Sequence, residues 1–181
     1  MYTACFTGHR KIGGEYYNRV NPSAEWMLLK NYLDSIVYFF MRDHNVTHFI
    51  TGLAIGVDML GAESVALCRS FIKTPITLTG AMPFPSQRKK WPKPTRDHWH
   101  DTCSLCNEVV SISADPYHPT KMQIRNEWMV DQSNYVIAIW DSRMKGGTWN
   151  CIKYAQSKDK PVLHLVHTNQ GWAHNWLSSG D

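Results

Sequence analysis

Two patterns of hydrophobic and polar positions alternate along this chain. Short apolar runs predict buried strands, and stretches with apolar residues three and four positions apart predict helices. The predicted strands are residues 2–7, 47–51, 75–79, 108–113, 135–140 and 161–166. The predicted helices are residues 23–42, 57–72, 95–107, 119–132 and 148–157. This alternation predicts the α/β class, with a Rossmann-like parallel sheet of about six strands flanked by helices.

The first predicted helix carries more apolar surface than one core-facing stripe requires. One face holds six apolar residues, Trp26, Leu29, Leu33, Ile36, Val37 and Phe40. Other faces carry Met27, Leu28, Tyr32, Tyr38 and Phe39. The excess predicts a second buried surface, most simply in a two-fold homodimer. The alternative is burial beneath the C-terminal tail, which holds Trp172 and Trp176.

Composition and charge narrow the class of protein. The 181 residues are 43% hydrophobic and 19% charged, so we expect one domain over residues 1–181 with a short C-terminal tail. The net charge of +4 permits an anionic partner, but the longest basic cluster is only residues 88–90. Five cysteines, an odd number, favour a reducing cytoplasm. Because Met1 leads directly into a strand and no apolar run is long enough to span a bilayer, we expect neither a signal peptide nor a membrane partner.

Three glycine-containing turns, at residues 7–10, 52–56 and 146–148, each follow a predicted strand. The carboxyl ends of parallel strands meet at one edge of a sheet, so the three turns should share a pocket. Free N–H groups and the dipole of a helix start favour a phosphate there. Neither G-x-G-x-x-G nor G-x-x-x-x-G-K-[ST] is present, which disfavours ordinary dinucleotide dehydrogenases and P-loop enzymes.

The motifs at these turns resemble the SLOG superfamily, which groups DprA (Smf) DNA-processing proteins with LOG lysine-decarboxylase-like proteins. They are Thr-Gly-His-Arg at 7–10, Thr-Gly-Leu-Ala-x-Gly-Val-Asp at 51–58, Arg-Asn at 125–126, and Gly-Gly-Thr at 146–148 with Tyr-Ala at 154–155. Within this superfamily the chain most resembles the YpsA-like branch. The Trp-x-x-Pro loop at 91–94 is also similar to that branch. The resemblance covers residues 2–166. It implies a Rossmann-like domain that binds a nucleotide or a nucleotide-derived ligand.

Residues at the turns and in the matched motifs are the expected ligand-binding set. They are Thr7, Gly8, His9, Arg10, Gly52, Leu53, Ala54, Gly56, Asp58, Arg125, Asn126, Asp141, Gly146, Gly147, Thr148 and Trp149. The glycines could instead only permit tight turns. Arg10 could clamp a phosphate or form a surface ion pair. Asp58 in a first helical turn more often stabilises the helix dipole than it binds ribose.

One departure from LOG enzymes bears on catalysis. Those that release a base from a nucleoside monophosphate carry P-G-G-x-G-T-x-x-E, in which the Glu is catalytic. Here Cys151 stands three residues after Thr148, at that position. A thiol does not replace a carboxylate in acid–base chemistry at its usual pKa. We therefore expect a binder without catalytic residues, with a LOG-type hydrolase that uses Asp58 or Glu63 as the alternative.

The resemblance also suggests which partners to expect. The small-molecule ligand would be an ADP-ribose-like or cyclic-nucleotide-like signal, which the protein senses or sequesters. DprA-like binding of single-stranded DNA is a further alternative, and the short basic cluster predicts that it is weak. No cofactor or metal is expected, because His98, His100, Cys103 and Cys106 share one predicted helix and do not converge tetrahedrally.

Overall fold

In the computed structural model, which describes residues 1–177, the apolar runs form strands and the amphipathic stretches form helices. The strands are β1 Tyr2–Gly8, β2 Lys11–Ile12, β3 Glu15–Tyr16, β4 Val46–Thr51, β5 Thr77–Met82, β6 Glu108–Ser111, β7 Tyr135–Ile139, β8 Val162–Thr168 and β9 Gly171–Leu177. The helices are α1 Ala24–Asp43, α2 Val57–Cys68, α3 Lys93–Leu105, α4 Thr120–Asp131 and α5 Gly146–Ser157, with a 3-10 turn at Arg69–Phe71.

The strands β1 and β4 to β9 form one sheet in the order β6-β5-β4-β1-β7-β8-β9. All neighbours are parallel except β8 and β9, which are antiparallel. The chain builds outward from β1 through β4, β5 and β6, and then returns to the other side of β1 with β7. Strand order therefore reverses at β1, and the Rossmann-like class predicted from the sequence is confirmed.

Helices cover both faces of the sheet. On one face, α1 and α2 pack on β1 and β4 through a core whose largest fully buried side chains include Trp26, Phe6, Phe40 and Phe49. On the other face, α4 and α5 pack through Met129, Val130, Cys151 and Ile152.

No helix within residues 1–177 combines the length and the apolar character needed to span a membrane.

Two predicted boundaries are wrong at the ends of the 80–94 loop. Strand β5 continues to Met82 because Gly80 to Met82 pair with β6, and helix α3 begins at Lys93. The predicted strand ended at residue 79, and residues 80–94 were expected to form a proline-rich loop. Here a Cβ at Gly80 would lie 2.7 Å from Leu53 Cδ1, so the strand requires glycine for this close approach.

The predicted C-terminal tail contains a strand. Strand β9 closes one edge of the sheet and packs against α1, where the Trp176 and Phe40 ring centroids are 5.9 Å apart. The Tyr32 hydroxyl lies 2.7 Å from His174 Nδ1. Part of the excess apolar surface of α1 is thus covered by β9, while Met27 and Leu28 remain 53% and 55% exposed. Residues 178–181 of the tail lie outside the described residues.

Candidate functional site

A cavity of about 280 Å³ lies where strand order reverses, at the carboxyl ends of the strands. We name it the glycine-turn cavity. Its lining residues come from the β1 turn, the β4–α2 turn, α4 and the start of α5. They are Phe6, Thr7, Gly8, His9, Arg10, Ala54, Asp58, Met122, Arg125, Asn126, Gly147 and Thr148. Most residues of the predicted ligand-binding set therefore surround one space.

A buried ion pair forms the floor of this cavity. Arg125 Nη1 of α4 donates to Asp58 Oδ2 of α2 at 3.2 Å, and the two residues are only 5% and 6% exposed. The Ala54 N–H donates to the same carboxylate oxygen at 3.3 Å. Burial raises the pKa of Asp58, while Arg125, the Ala54 N–H and Arg10 act in the opposite direction. Asp58 is thus a cross-link between two helices as well as a first-turn acid.

Gly52 is placed under this ion pair and does not line the cavity. A Cβ at Gly52 would overlap Arg125 Nη1 and come within 2.5 Å of Asp58 Oδ2. Any side chain larger than hydrogen would therefore push the guanidinium away from the carboxylate. Thr51 supports the same turn, because its hydroxyl donates to the Asp58 carbonyl oxygen at 2.6 Å.

Arg125 is incompletely paired. Its Nε is buried and has no hydrogen-bond partner within residues 1–177. A buried N–H of a charged group without a partner costs roughly 1–3 kcal/mol or more, and such groups call for an explanation. Arg125 lines the glycine-turn cavity, so its guanidinium places a positive charge beside this space.

The start of α5 faces the same space. Lys145 precedes the helix in an extended conformation, and no side chain caps its first N–H groups. Gly147 and Thr148 line the cavity, and a Cβ at Gly147 would meet nothing within 4 Å. Asn126 Nδ2 donates to the Gly147 carbonyl oxygen at 3.5 Å. The open helix start adds partial positive charge to the cavity.

The turn before α2 was predicted to offer free N–H groups to a phosphate, but its first helical N–H is already bonded within the protein. Its first helical N–H, on Val57, donates to the His9 carbonyl oxygen at 3.2 Å. Gly56 has a positive φ of 97°, and a Cβ there would lie 2.6 Å from the same oxygen. This turn therefore binds the β1 turn, and Gly56 is needed for that contact and does not line the cavity.

Three further members of the predicted set also lie outside the cavity. Leu53 is buried with Met59 and Trp99, and its carbonyl oxygen accepts from Gln87 Nε2 at 3.2 Å. Gly146 begins α5 with a φ of 87° in open space. Trp149 stacks on Trp140 with ring centroids 5.0 Å apart and planes 12° apart.

Asp141 lines a second cavity, of about 450 Å³, on the other side of His9. We name it the tryptophan cavity after Trp140 and Trp172. It is lined by His9, Lys11, Ile12, Gly13, Gly14, Glu25, Ile139, Trp140, Asp141, Arg143, Val166, His167 and Trp172. His9 lines both spaces, and its Nε2 accepts the Asp141 N–H at 3.2 Å and lies 3.0 Å from Asp141 Oδ1.

Asp141 is held as an anion. Although partial burial acts to raise its pKa, hydrogen bonds from Arg143, with a smaller contribution from the neighbouring His9, lower it to about 2. The carboxylate therefore stays charged at neutral pH, and it holds the loop after β7 in place. A carboxylate at this position can accept hydrogen bonds from ligand hydroxyl groups.

Sequence reasoning missed Phe6 and Met122 in the first cavity and nearly the whole lining of the second. Met122 stands three and four residues before Arg125 and Asn126, and this helical spacing could have identified it. The residues 11–14 gave no periodic signal, although the Gly13-Gly14 pair marks a turn. Their place beside β7 and β9 follows only from the tertiary fold.

Glu63 does not line the glycine-turn cavity. Its carboxylate accepts hydrogen bonds from the Tyr17 hydroxyl at 2.6 Å and lies 2.7 Å from His98 Nε2. Burial acts to raise the pKa of Glu63, but His98, Tyr17 and Arg19 lower it overall. Glu63 therefore fastens the 13–20 loop to α2 and α3.

The sequence matches the YspA SLOG family over residues 4–169. The chain belongs to this SLOG family. The resemblance seen in the motifs is thus confirmed over nearly the whole chain, including the residues that line the glycine-turn cavity.

Two bacterial relatives span most of the chain. The uncharacterized SPbeta prophage-derived protein YoqJ of Bacillus subtilis is 30% identical over 150 residues, which are 75% of this chain and 84% of YoqJ. A UPF0398 protein of Brevibacillus brevis is 22% identical over 155 residues, which are 84% of this chain and 80% of that protein.

Two solved structures of DNA processing protein A share the fold. The Helicobacter pylori protein, described with a single-stranded DNA binding mode, has a TM-score of 0.59 at 17% identity over 94% of this chain and 67% of its own. The Streptococcus pneumoniae protein has a TM-score of 0.63 at 14% identity over 90% of this chain and 50% of its own. At sequence identities of 17% and 14%, these structures establish only a shared fold. The function has to be argued from the site.

Breaking the ion pair on one side should destabilise the protein. We expect Asp58→Asn to lower the free energy of unfolding by about 3–5 kcal/mol, because it leaves Arg125 charged and buried without its carboxylate. The double variant Asp58→Asn with Arg125→Gln should lose less than the sum of the two single variants. Urea denaturation of the four proteins measures this coupling. Additive losses would show that the pair does not hold α2 to α4.

Proposed function

We propose that this protein binds a nucleotide or a nucleotide-derived ligand whose phosphate lies in the glycine-turn cavity. The observation that carries the proposal is the unpaired Nε of buried Arg125 opposite the uncapped start of α5. Arg125 and the start of α5 line the same small space. A phosphate would supply acceptor oxygens for N–H donors of both groups.

The charges around the cavity agree with an anionic ligand. Asp58 is its only acidic lining residue within residues 1–177, and Arg125 neutralises it. Arg10 is exposed at the rim and forms no salt bridge with the described residues, so its guanidinium is available to a ligand. At about 280 Å³ the cavity is below the roughly 300–1,000 Å³ typical of whole small-molecule sites, which suits a phosphate group.

The remainder of the ligand would extend past His9 into the tryptophan cavity. There the Asp141 carboxylate can accept from a ribose hydroxyl group. ADP-ribose derivatives and cyclic nucleotides are the ligand classes that the SLOG resemblance suggests. In the described part of the chain no catalytic carboxylate faces the phosphate site freely, so sensing or sequestration of the ligand fits this geometry better than turnover.

Removal of the Arg10 guanidinium should weaken nucleotide binding. We expect Arg10→Ala to raise the Kd of a nucleotide by about ten- to a hundredfold, because a hydrogen bond to a charged group contributes about 1.5–3 kcal/mol. Calorimetry with a panel of mononucleotides, cyclic nucleotides and ADP-ribose measures the change. Arg42→Ala, at the far end of α1, removes the same charge as a control. Equal affinity in the Arg10 and Arg42 variants would exclude Arg10 from the site.

A LOG-type hydrolase with a replaced acid is the alternative enzyme. Cys151 is buried in α5, where burial raises the pKa of its thiol to about 11, so it is neutral at pH 7. Asp58 is the remaining candidate acid, but it is engaged with Arg125 and Ala54.

We therefore expect no rapid release of free base from nucleoside monophosphates. The reason is that, within residues 1–177, the proposed phosphate site holds no free carboxyl group that could protonate the leaving base. Chromatography of AMP and GMP incubated with the protein measures the release. Release that depends on the enzyme and disappears in Asp58→Asn, with the fold intact, would establish the hydrolase instead.

DNA binding is a second candidate, favoured by a basic surface beside α3. Arg88, Lys89 and Arg96 line a shallow groove with His100, and Arg88 lies 4.3 Å from the Trp99 ring centroid. We expect weak binding of single-stranded DNA, because few phosphates are contacted. Its affinity should fall with salt, because the contacts are mostly electrostatic. Fluorescence anisotropy with a labelled oligonucleotide at rising salt measures it. Tight binding that persists at high salt would favour the DNA-binding role over the small-molecule role.

We also propose that the protein forms a homodimer through the part of α1 that β9 leaves open. Met27 and Leu28 expose apolar surface next to each other on this helix. We expect light scattering to give twice the chain mass of 20.9 kDa, and Met27→Lys with Leu28→Lys to give the single mass. A monomer at micromolar concentration, with or without nucleotide, would contradict the dimer.

A further inference from the structure

Two residues that line the tryptophan cavity carry a polar group without a hydrogen-bond partner within residues 1–177. The Trp172 Nε1–H is buried without a hydrogen-bond acceptor within residues 1–177. The Glu25 carboxylate, in the first turn of α1, is exposed and forms no hydrogen bond or salt bridge with the described residues, so it is available to a ligand. One group is a donor and the other carries acceptors, and both line the same space.

The Glu25 carboxylate lies against the backbone of the 13–14 turn. A Cβ built at Gly13 would overlap a Glu25 carboxylate oxygen, which shows how closely the two approach. Gly13 has a positive φ of 56°, which glycine adopts without strain. The turn therefore places the carboxylate beside the cavity.

The cavity also suits a flat ring. The rings of His167 and Trp172 have centroids 5.2 Å apart, and the volume of about 450 Å³ lies within the usual range for small-molecule sites. Aromatic walls of this kind stack on nucleobases. Since His9 lines both cavities, one molecule can place its phosphate on one side of His9 and its base on the other.

We propose that the tryptophan cavity binds guanine, so that the ligand of the proposed nucleotide site is a guanine nucleotide. This inference rests on the proposed function. The edge of guanine presents two adjacent donors, N1–H and N2–H, beside the O6 acceptor. A carboxylate supplies two acceptors for the donors, and an indole N–H supplies a donor for the acceptor. Adenine presents one donor next to an acceptor nitrogen, which repels a carboxylate oxygen.

The test compares GMP, IMP and AMP, which carry the same phosphate and ribose. IMP keeps N1–H and O6 but lacks the 2-amino group, so it loses one of the two bonds to Glu25. We expect affinity to fall in the order GMP, IMP, AMP, with about a ten- to hundredfold difference between GMP and AMP. Calorimetry gives the affinities, and quenching of tryptophan fluorescence reports a base next to Trp172.

Two variants assign the preference to these side chains. Glu25→Gln replaces one acceptor by a donor and should reduce the GMP to AMP preference to near unity. Trp172→Phe keeps an aromatic ring but removes the indole N–H. It should weaken the binding of GMP more than the binding of AMP. Asp159→Asn, in the α5–β8 turn, removes the same charge as a control and should keep the preference. Chemical denaturation confirms that each variant is folded.

The outcomes separate this inference from the proposed function. Equal binding of GMP and AMP, both weakened by Arg10→Ala, would keep the phosphate site and overturn the guanine site. Tighter binding of AMP or ADP-ribose than of GMP would also overturn it, as would a preference for GMP that survives in Glu25→Gln. If no nucleotide binds at millimolar concentration, the proposed function itself fails, and the guanine site fails with it.

Discussion

The buried contact between Asp58 and Arg125 is the constraint on which the site depends. It joins α2 on one face of the sheet to α4 on the other, beyond the ends of β1 and β4. Each buried charge costs several kcal/mol of desolvation, and the cost is offset only by close partners. The Ala54 N–H and the Arg125 guanidinium supply them for Asp58. The turn after β4 is therefore fixed by the same contact that orders the cavity floor.

Close packing, of this ion pair and of the neighbouring turns, explains most of the glycines in the motifs. A side chain at Gly52 would break the ion pair, one at Gly8 would lie 2.6 Å from Val57, and one at Gly56 would strike the His9 backbone. Only Gly147 lines the cavity with open space around it. Most glycines of this motif are therefore required where chain segments approach each other closely. Only at Gly147 does the glycine leave the backbone open to a ligand.

The parts of the fold with local periodicity could be predicted from the sequence, and the parts set by tertiary contact could not. The central strands and α1 carry strong periodic patterns, and their positions follow from them. Strand β9 has two apolar pairs, at 172–173 and 176–177, and no apolar–polar alternation. It forms because β8 leaves an open edge with which it can pair. The grouping of Arg10, Asp58 and Arg125 followed from strand ends and motifs. Glu25 and Trp172 come together only through the 11–14 turn and β9.

The arrangement of charge favours binding over catalysis for a physical reason. A general acid or base needs a titratable group that faces the reacting atoms and can exchange its proton. Near the phosphate site, Asp58 is committed to two hydrogen bonds, and Cys151 is buried as a neutral thiol. The groups left free are donors, namely the Arg125 Nε–H, the start of α5 and Arg10. At the proposed phosphate site these donors would bind an anion. Without a proton-transfer group among the described residues there, their binding energy would increase affinity and would not lead to cleavage of a glycosidic bond.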